Sequence, residues 1–448
     1  MKKILFIGLF LLSTTLLVAQ VRYATVQGRY ISEVEKNVSL WEVVDGDLIE
    51  YASTKLGEGG SFAFTLIPGN TQFYYLGTKE NNFRVYLQGG EMLNVEIDAE
   101  KNEIALIGKV SKENQLVHAW RELISDIEIM AVKPAGVRKV YTDFYPVLTQ
   151  KVGEYEKFRS RINLKNKAFN ENMLYLVDSD IRFYALEFLA SGRLKHPEQG
   201  NITDFHKKIL SEKLIVSRVL VLPYAWRYVH DIASITRIHI ENSENENLID
   251  YVLKRMDTPI LKSMYVLQQL KRKRRAEQYN NFMKMYGKYL TLPEHKNIAA
   301  NLGKDFKSIL PGKDAIDFAY PDVDGKIHSL SDYIGKVVVV DIWATWCGPC
   351  MKELPFFRKL EREFVGKDVV FIGVSMDRHQ SKWAEYVKKE NLEGVQLFGD
   401  NTIRENYKVD GIPRFMIFNR QGKIITTDAP RPSTPLLKTM IEDVLKMN

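Results

Sequence analysis

The residues with the types and spacing for chemistry are Cys347 and Cys350, separated by Gly348 and Pro349. They are the only cysteines in a chain of 448 residues. Two thiols so spaced on a starting helix come within bonding reach, so the pair can pass between dithiol and disulfide. As a dithiol it can attack another disulfide with one sulfur and resolve the mixed product with the other. A cysteine at a helix N-terminus faces unpaired N–H groups and the positive end of the dipole, which favour its thiolate. Cys347 is thus expected to be the more exposed, attacking sulfur, and Cys350, one turn further in, the resolving one. A structural disulfide or half of a metal site is the alternative, but a closed tetrahedral zinc site would want a second cysteine pair. Met351 after Cys350 excludes haem attachment through CxxCH. Neither a metal nor a cofactor is called for.

The elements that must position this pair are legible on both sides of it. Val337, Val338, Val339 and Val340 read as a central strand covered on both faces, and Met351 to Leu360 has helical spacing. Pro349 suits a first helical turn, where its missing N–H removes no bond, and Pro355 falls inside the helix and should kink it. Asp341 sits at the end of the valine strand, where desolvation raises a carboxyl pKa and suits it to exchange a proton with the resolving thiol. Glu353, three residues after Cys350, shares a helix face with it and is the second relay candidate. The plainer alternatives are a hydrogen-bonded structural group for Asp341 and a surface charge for Glu353. Trp346 is expected to flank the thiol and cover it from solvent, with Trp343 packed beneath. His379 is left out, because nothing in the sequence fixes it near the thiols. Downstream, a strand at 368–374, a helix at 382–390, a strand at 395–398, a short helix at 402–407, strands at 414–419 and 423–427 and a terminal helix from Ser433 obey βαβ logic.

The frame Trp-Ala-Thr-Trp-Cys-Gly-Pro-Cys-Met-Lys-Glu-Leu-Pro, residues 343–355, resembles the thioredoxin superfamily, and within it the TlpA/ResA-type exported thiol-disulfide oxidoreductases. The resemblance implies an α/β thioredoxin fold over 311–448. Gly411-Ile412-Pro413-Arg414 matches the superfamily's cis-proline position, which implies that Ile412 presents its backbone to a bound substrate chain beside Pro413. Trp346, Gly348 and Pro349 would complete the substrate-binding surface. Asp341 matches the buried aspartate of thioredoxins, whereas ResA-type relatives more often carry asparagine there; Glu353 matches the acidic residue of the TlpA/ResA motif. Gly-Pro between the cysteines resembles reductive thioredoxins. The implied partners are protein disulfide substrates, apocytochrome c among them, and a membrane-bound electron donor.

Length and texture divide the rest. The chain is too long for one ordinary core, so it is read as multidomain. Residues 1–20 carry Lys2 and Lys3, an apolar run and a closing Ala19, the pattern of a cleaved secretory signal peptide. An uncleaved anchor is the alternative, although the run is short for a hydrocarbon core of about 30 Å. Residues 21–108 alternate in strand fashion between glycine-rich turns and are expected to form a β-sandwich-like, β-rich domain. They resemble small β-domains that precede thioredoxin modules in exported Bacteroidetes proteins. Tyr74, Tyr75 and Tyr86 are read there as packing residues, with a binding face as the sharper alternative. Residues 109–305 carry apolar stripes of helical period at 116–127, 175–189, 202–220 and 248–264, and are expected to form an irregular α-helical domain. The run Lys271-Arg272-Lys273-Arg274-Arg275 is read as a solvated helix face, with an anionic surface or acidic partner as the sharper alternative. Pro311-Gly312-Lys313 is read as the linker into the last domain. A formal net charge of +7 does not call for nucleic acid.

The reading is a periplasmic or secreted enzyme that reduces protein disulfides. Its rivals are a binding or assembly protein whose dithiol senses redox state, and an oxidant that introduces disulfides.

Overall fold

The computed structural model describes residues 22–69, 73–132, 140–191, 197–198, 201–213, 215–241, 243 and 245–447. The leader expected over 1–20 lies outside the described residues. The chain divides into two compact units, Met1–Asp257 and Thr258–Asn448.

Among the described residues the first unit begins with eight strands: β1 (Ala24–Ile31), β2 (Asn37–Val44), β3 (Asp47–Lys55), β4 (Ser61–Leu66), β5 (Phe73–Gly77), β6 (Asn82–Tyr86), β7 (Met92–Asp98) and β8 (Glu103–Ile107). They form two four-stranded sheets, ordered β4-β1-β7-β8 and β3-β2-β5-β6. Alternation drives this: β4 exposes Ser61, Ala63 and Thr65 and buries Phe62, Phe64 and Leu66. Val26, Leu93 and Ile97 of one sheet share a core with Leu40, Leu76 and Phe83 of the other. Tyr74, Tyr75 and Tyr86 are all buried.

Among the described residues six helices follow: α1 (Lys112–Val132), α2 (Tyr141–Arg161), α3 (Lys167–Ala190), α4 (Asp204–Leu210), α5 (Ala225–His239) and α6 (Leu248–Arg255). α1 buries Leu116, Val117, Trp120, Ile124 and Ile127, the stripe its period implied. The stripe at 202–220 is not one helix, since α4 stops at Leu210 and a separate 3-10 turn covers Ser217–Val221. Asp180 of α3 is the polar hub of this unit. It accepts from Arg84 Nη1 and Nη2 (2.8 and 3.0 Å), Trp120 Nε1 (2.8 Å) and the Tyr224 hydroxyl (2.5 Å). One buried carboxylate thereby ties β6 to α1, α3 and the start of α5.

The second unit opens with α7 (Pro259–Lys271), α8 (Ala276–Tyr286) and α9 (Pro293–Lys304). The 248–264 stripe is therefore also two helices, because Pro259 starts α7 with Thr258 as its cap. After the hairpin of β9 (Ala319–Pro321) and β10 (Ile327–Ser329) come β11 (Val337–Trp343), α10 (Gly348–Glu363), β12 (Val369–Ser375), α11 (Gln380–Lys389), β13 (Val395–Phe398), α12 (Asn401–Asn406), β14 (Arg414–Phe418), β15 (Ile424–Ala429) and α13 (Pro435–Lys446). The five-stranded sheet has the order β13-β12-β11-β14-β15, with β11 parallel to β12 and antiparallel to β14. Every residue of β11 is buried, as a central strand covered on both faces requires. Val337 and Val339 pack with Phe357 and Leu360 of α10 and Leu437 and Ile441 of α13. Val338 and Val340 pack in the opposite cluster with Tyr320, Ile403, Ala276 and Phe306.

That second cluster corrects the expected division at 305–311. Ala276 at the start of α8, and Phe306 and Ile309 after α9, fill the same core as the valine strand, so residues 258–310 fold together with the C-terminal sheet and its helices. Pro311–Lys313 is not a spacer, since Gly312 N–H donates to Ile424 O (2.7 Å) and Ile424 N–H to Lys313 O (2.8 Å). The basic run is not a helix face either. Lys271 ends α7, Ala276 begins α8, and Arg275 between them is ion-paired with Asp428. Among the described residues no helix is long and apolar enough to cross a membrane.

Candidate active site

The site is built where β11 hands over to α10. Cys347 is the N-cap of α10, and its Sγ accepts the Cys350 N–H at 3.2 Å. The two cysteines are disulfide-bonded, with Cα atoms 5.2 Å apart. An unsatisfied N–H of the first turn thus points at the sulfur assigned to attack, the arrangement that stabilises a thiolate once the bond opens. In this oxidised form exposure does not separate the pair, because Cys347 and Cys350 are 4% and 2% exposed. Trp346, by contrast, is 66% exposed and is not packed down as a cover; with exposed Gly348 and Pro349 it forms the outward surface beside the disulfide. Trp343 lies beneath, in one apolar cluster with Ala344, both cysteines, Trp383 and Val387.

The loop between strand and helix is held by a residue that sequence reasoning missed. Asp377, just past β12, accepts Thr345 N–H (3.0 Å), Thr345 Oγ1 (2.6 Å) and Ser375 Oγ (2.7 Å). The available signal was register: Ser375 pairs with Trp343 across the parallel strands, which brings Asp377 alongside Thr345.

Both relay candidates are interior. Asp341, paired in register with Gly373 and Phe415, is 4% exposed. Burial, and then the charge of Glu353, push its carboxyl well above the usual carboxylate range. Its Oδ1 has no hydrogen-bond partner among the described residues. Glu353 is no surface charge. It is 5% exposed, accepts Ser433 N–H and Ser433 Oγ at 3.0 Å each, and has Arg431 Nη1 at 3.6 Å.

The Ile412–Pro413 peptide bond is cis. Ile412 packs against the apolar cluster that holds the cysteines, from more than sixty positions later in the sequence. His379 caps α11 by position and makes no side-chain capping bond there. Among the described residues no group of three or more His, Cys, Asp and Glu side chains is placed to hold a metal ion.

Residues 311–427 match the model of the AhpC/TSA family. The thiol-disulfide oxidoreductase ResA of Bacillus subtilis is 28% identical over 142 residues, which is 32% of this chain and 77% of that protein. ResA of Bacillus thuringiensis is 32% identical over 115 residues, 25% of this chain and 66% of its own length. The thioredoxin-like protein YneN of Bacillus subtilis is 30% identical over 130 residues, 29% of this chain and 76% of that protein. Among solved structures, the thioredoxin domain of a Bacteroides vulgatus thiol-disulfide oxidoreductase is 27% identical, with a TM-score of 0.29, and covers 31% of this chain and all (100%) of that one. A thiol:disulfide interchange protein from Bacteroides sp. is 28% identical, with a TM-score of 0.28, and covers 31% of this chain and 91% of that one. Through its C-terminal region this chain belongs to the thioredoxin-like thiol-disulfide oxidoreductases.

Proposed function

We propose that this protein is exported and reduces disulfides of other exported proteins through Cys347 and Cys350. The observation that supports this most is the Cys350 N–H directed at Cys347 Sγ on the helix terminus, because it favours the Cys347 thiolate over the neutral thiol. In the reduced protein the Cys347 thiolate attacks one client sulfur. A Cys347–client disulfide forms and the first client thiolate leaves. Cys350 gives up its proton and attacks Cys347 Sγ, the second client thiolate leaves, and the intramolecular disulfide returns. Two electrons pass to the client, and the leaving thiolates take up protons. Asp341 and Glu353 are the candidate acceptors of the Cys350 proton, since both are interior and sit on the two elements that carry the site.

Trp346, Gly348 and Pro349, with Ile412 and Pro413, are proposed to bind the client chain. An apocytochrome c is one client that suits this chemistry. The chain has no further cysteine to return the electrons, so a membrane-bound dithiol donor is proposed for that step. The leader at 1–20 would deliver the protein to the periplasm or beyond. The sheets of 21–108, read as a β-sandwich-like domain, and the helices after them would serve as a scaffold or partner platform.

The test is the equilibrium reduction potential of Cys347–Cys350 in defined thiol buffers. Thioredoxin-like reductants lie near about −270 mV and strong oxidants near about −120 mV. A low value is expected. A value at the high end would reverse the direction and make the protein a disulfide-introducing oxidant. A Cys347→Ser/Cys350→Ser double variant that still supports the cellular role would instead make it a binding protein.

A further inference from the structure

We infer that Arg275, which lies outside the family-matched segment, is a positioning residue for the loop from Asp410 to Pro413. The inference rests on the proposed function in taking that loop as client-binding. Arg275 sits between α7 and α8, and its Nη1 donates to both oxygens of Asp428 on β15 at 2.6 and 2.8 Å. Its Nε lies 3.4 Å from Asp410 Oδ1, at the start of the loop. Arg414, the first residue after the loop, also pairs with Asp410, and its Nε is 3.7 Å from Asp428 Oδ1. Two guanidinium groups thus alternate with two carboxylates, and the loop enters and leaves through members of this set.

The four members are not equally fixed. Arg414 is 2% exposed and held in register opposite Ile342 on the central strand. Asp428 belongs to β15. Arg275 is anchored by its neighbours: Ala276 is buried in the core, and the Glu277 carboxylate accepts Thr427 N–H at 3.1 Å and the Thr426 hydroxyl. Asp410 lies outside any strand or helix and reaches the cluster through its side chain alone. Without Arg275, Asp410 and Asp428 would share one guanidinium and repel each other. The less anchored of the two is Asp410, so the loop would shift and carry Ile412 with it. A lysine offers one point charge in place of a planar fork and would serve the two carboxylates incompletely.

The test uses the full chain, with dithiothreitol as reductant and either insulin or oxidised glutathione as disulfide. A polypeptide needs the loop, whereas a small disulfide needs little beyond the cysteines. In Arg275→Gln the KM for insulin is expected to rise about tenfold, the scale of one lost charge-assisted hydrogen bond. The kcat for insulin and the glutathione rate are expected to stay within about twofold of wild type. The Cys347–Cys350 potential should not move, and Arg275→Lys should give an intermediate KM. An unchanged insulin KM in the Gln variant, beside an active wild type, overturns the inference alone. So does a parallel loss with both disulfides, which would mean that Arg275 supports the whole domain. A wild type that reduces neither disulfide overturns the oxidoreductase reading and this inference with it.

Discussion

Burial, and then the charge of Glu353, raise the carboxyl pKa of Asp341, although the two residues stand on different elements, α10 and β11. Glu353 is kept in place by Ser433, which donates both its N–H and its hydroxyl to the carboxylate. The site therefore holds two interior carboxyls, one well hydrogen-bonded and the other with an oxygen that has no partner among the described residues. The raised carboxyl pKa of Asp341 sets the sign of the first two predictions.

Asp341→Asn should stabilise the oxidised protein, increasingly so with rising pH. The folded carboxyl titrates above its unfolded value of about 3.9. Between those two values the folded state holds a proton that the unfolded chain has lost, so wild-type stability falls as pH rises through that window. Asparagine has no proton to lose. Urea titrations at acidic, neutral and alkaline pH should show the gap between variant and wild type widening; a constant gap would contradict the assignment.

Glu353→Gln removes the negative charge that acts on Asp341, so the Asp341 carboxyl should ionise at lower pH. Rapid-mixing measurement of the Cys350 resolving step across pH should show its profile displaced toward acid. If neither this variant nor Asp341→Asn changes the step, both carboxyls lose the relay role.

In the first unit, Asp180→Ala should cost about 3–5 kcal/mol, the range for breaking one side of a buried ion pair. It strands the Arg84 guanidinium together with the Trp120 and Tyr224 donors. Asp180→Asn, which keeps an acceptor, should cost less. Equilibrium unfolding of the full chain checks both values.

Glu187 in α3 supplies a second pH dependence. Burial, and then the neighbouring Asp231, push its carboxyl up to about 8 against the opposing pull of Arg227. The sign is that of Asp341: stability is present near the unfolded value of about 4.3 and is lost as pH climbs toward 8. Hydrogen exchange of α3 amides, corrected for intrinsic rates, should show protection falling across this window. Glu187→Gln should flatten that fall.

The site's core was legible because its parts are neighbours in sequence. Four valines, a two-residue gap between cysteines and an N-terminal proline each act within one strand or one helical turn, where period and dipole suffice. Strand alternation at 61–65 and 92–97 was legible for the same reason. Glu353 could be placed on the Cys350 face, yet its burial depends on Ser433, 80 positions later. The Asp377 clamp on Thr345 needs the parallel register of β11 and β12, and no local period reports which strands will pair.

The sequence by itself determined the cysteine pair and the strand–turn–helix that carries it, because each comes from covalent spacing and local backbone preference. Only the tertiary structure decided that α8 and the segment after α9 complete the core around the valine strand. It also turned Arg275 from one charge in a basic run into a partner of Asp410 and Asp428. An apolar stripe specifies that a face must be buried, and a charge that it must be solvated or paired. Neither specifies the partner, which is chosen when the whole chain packs.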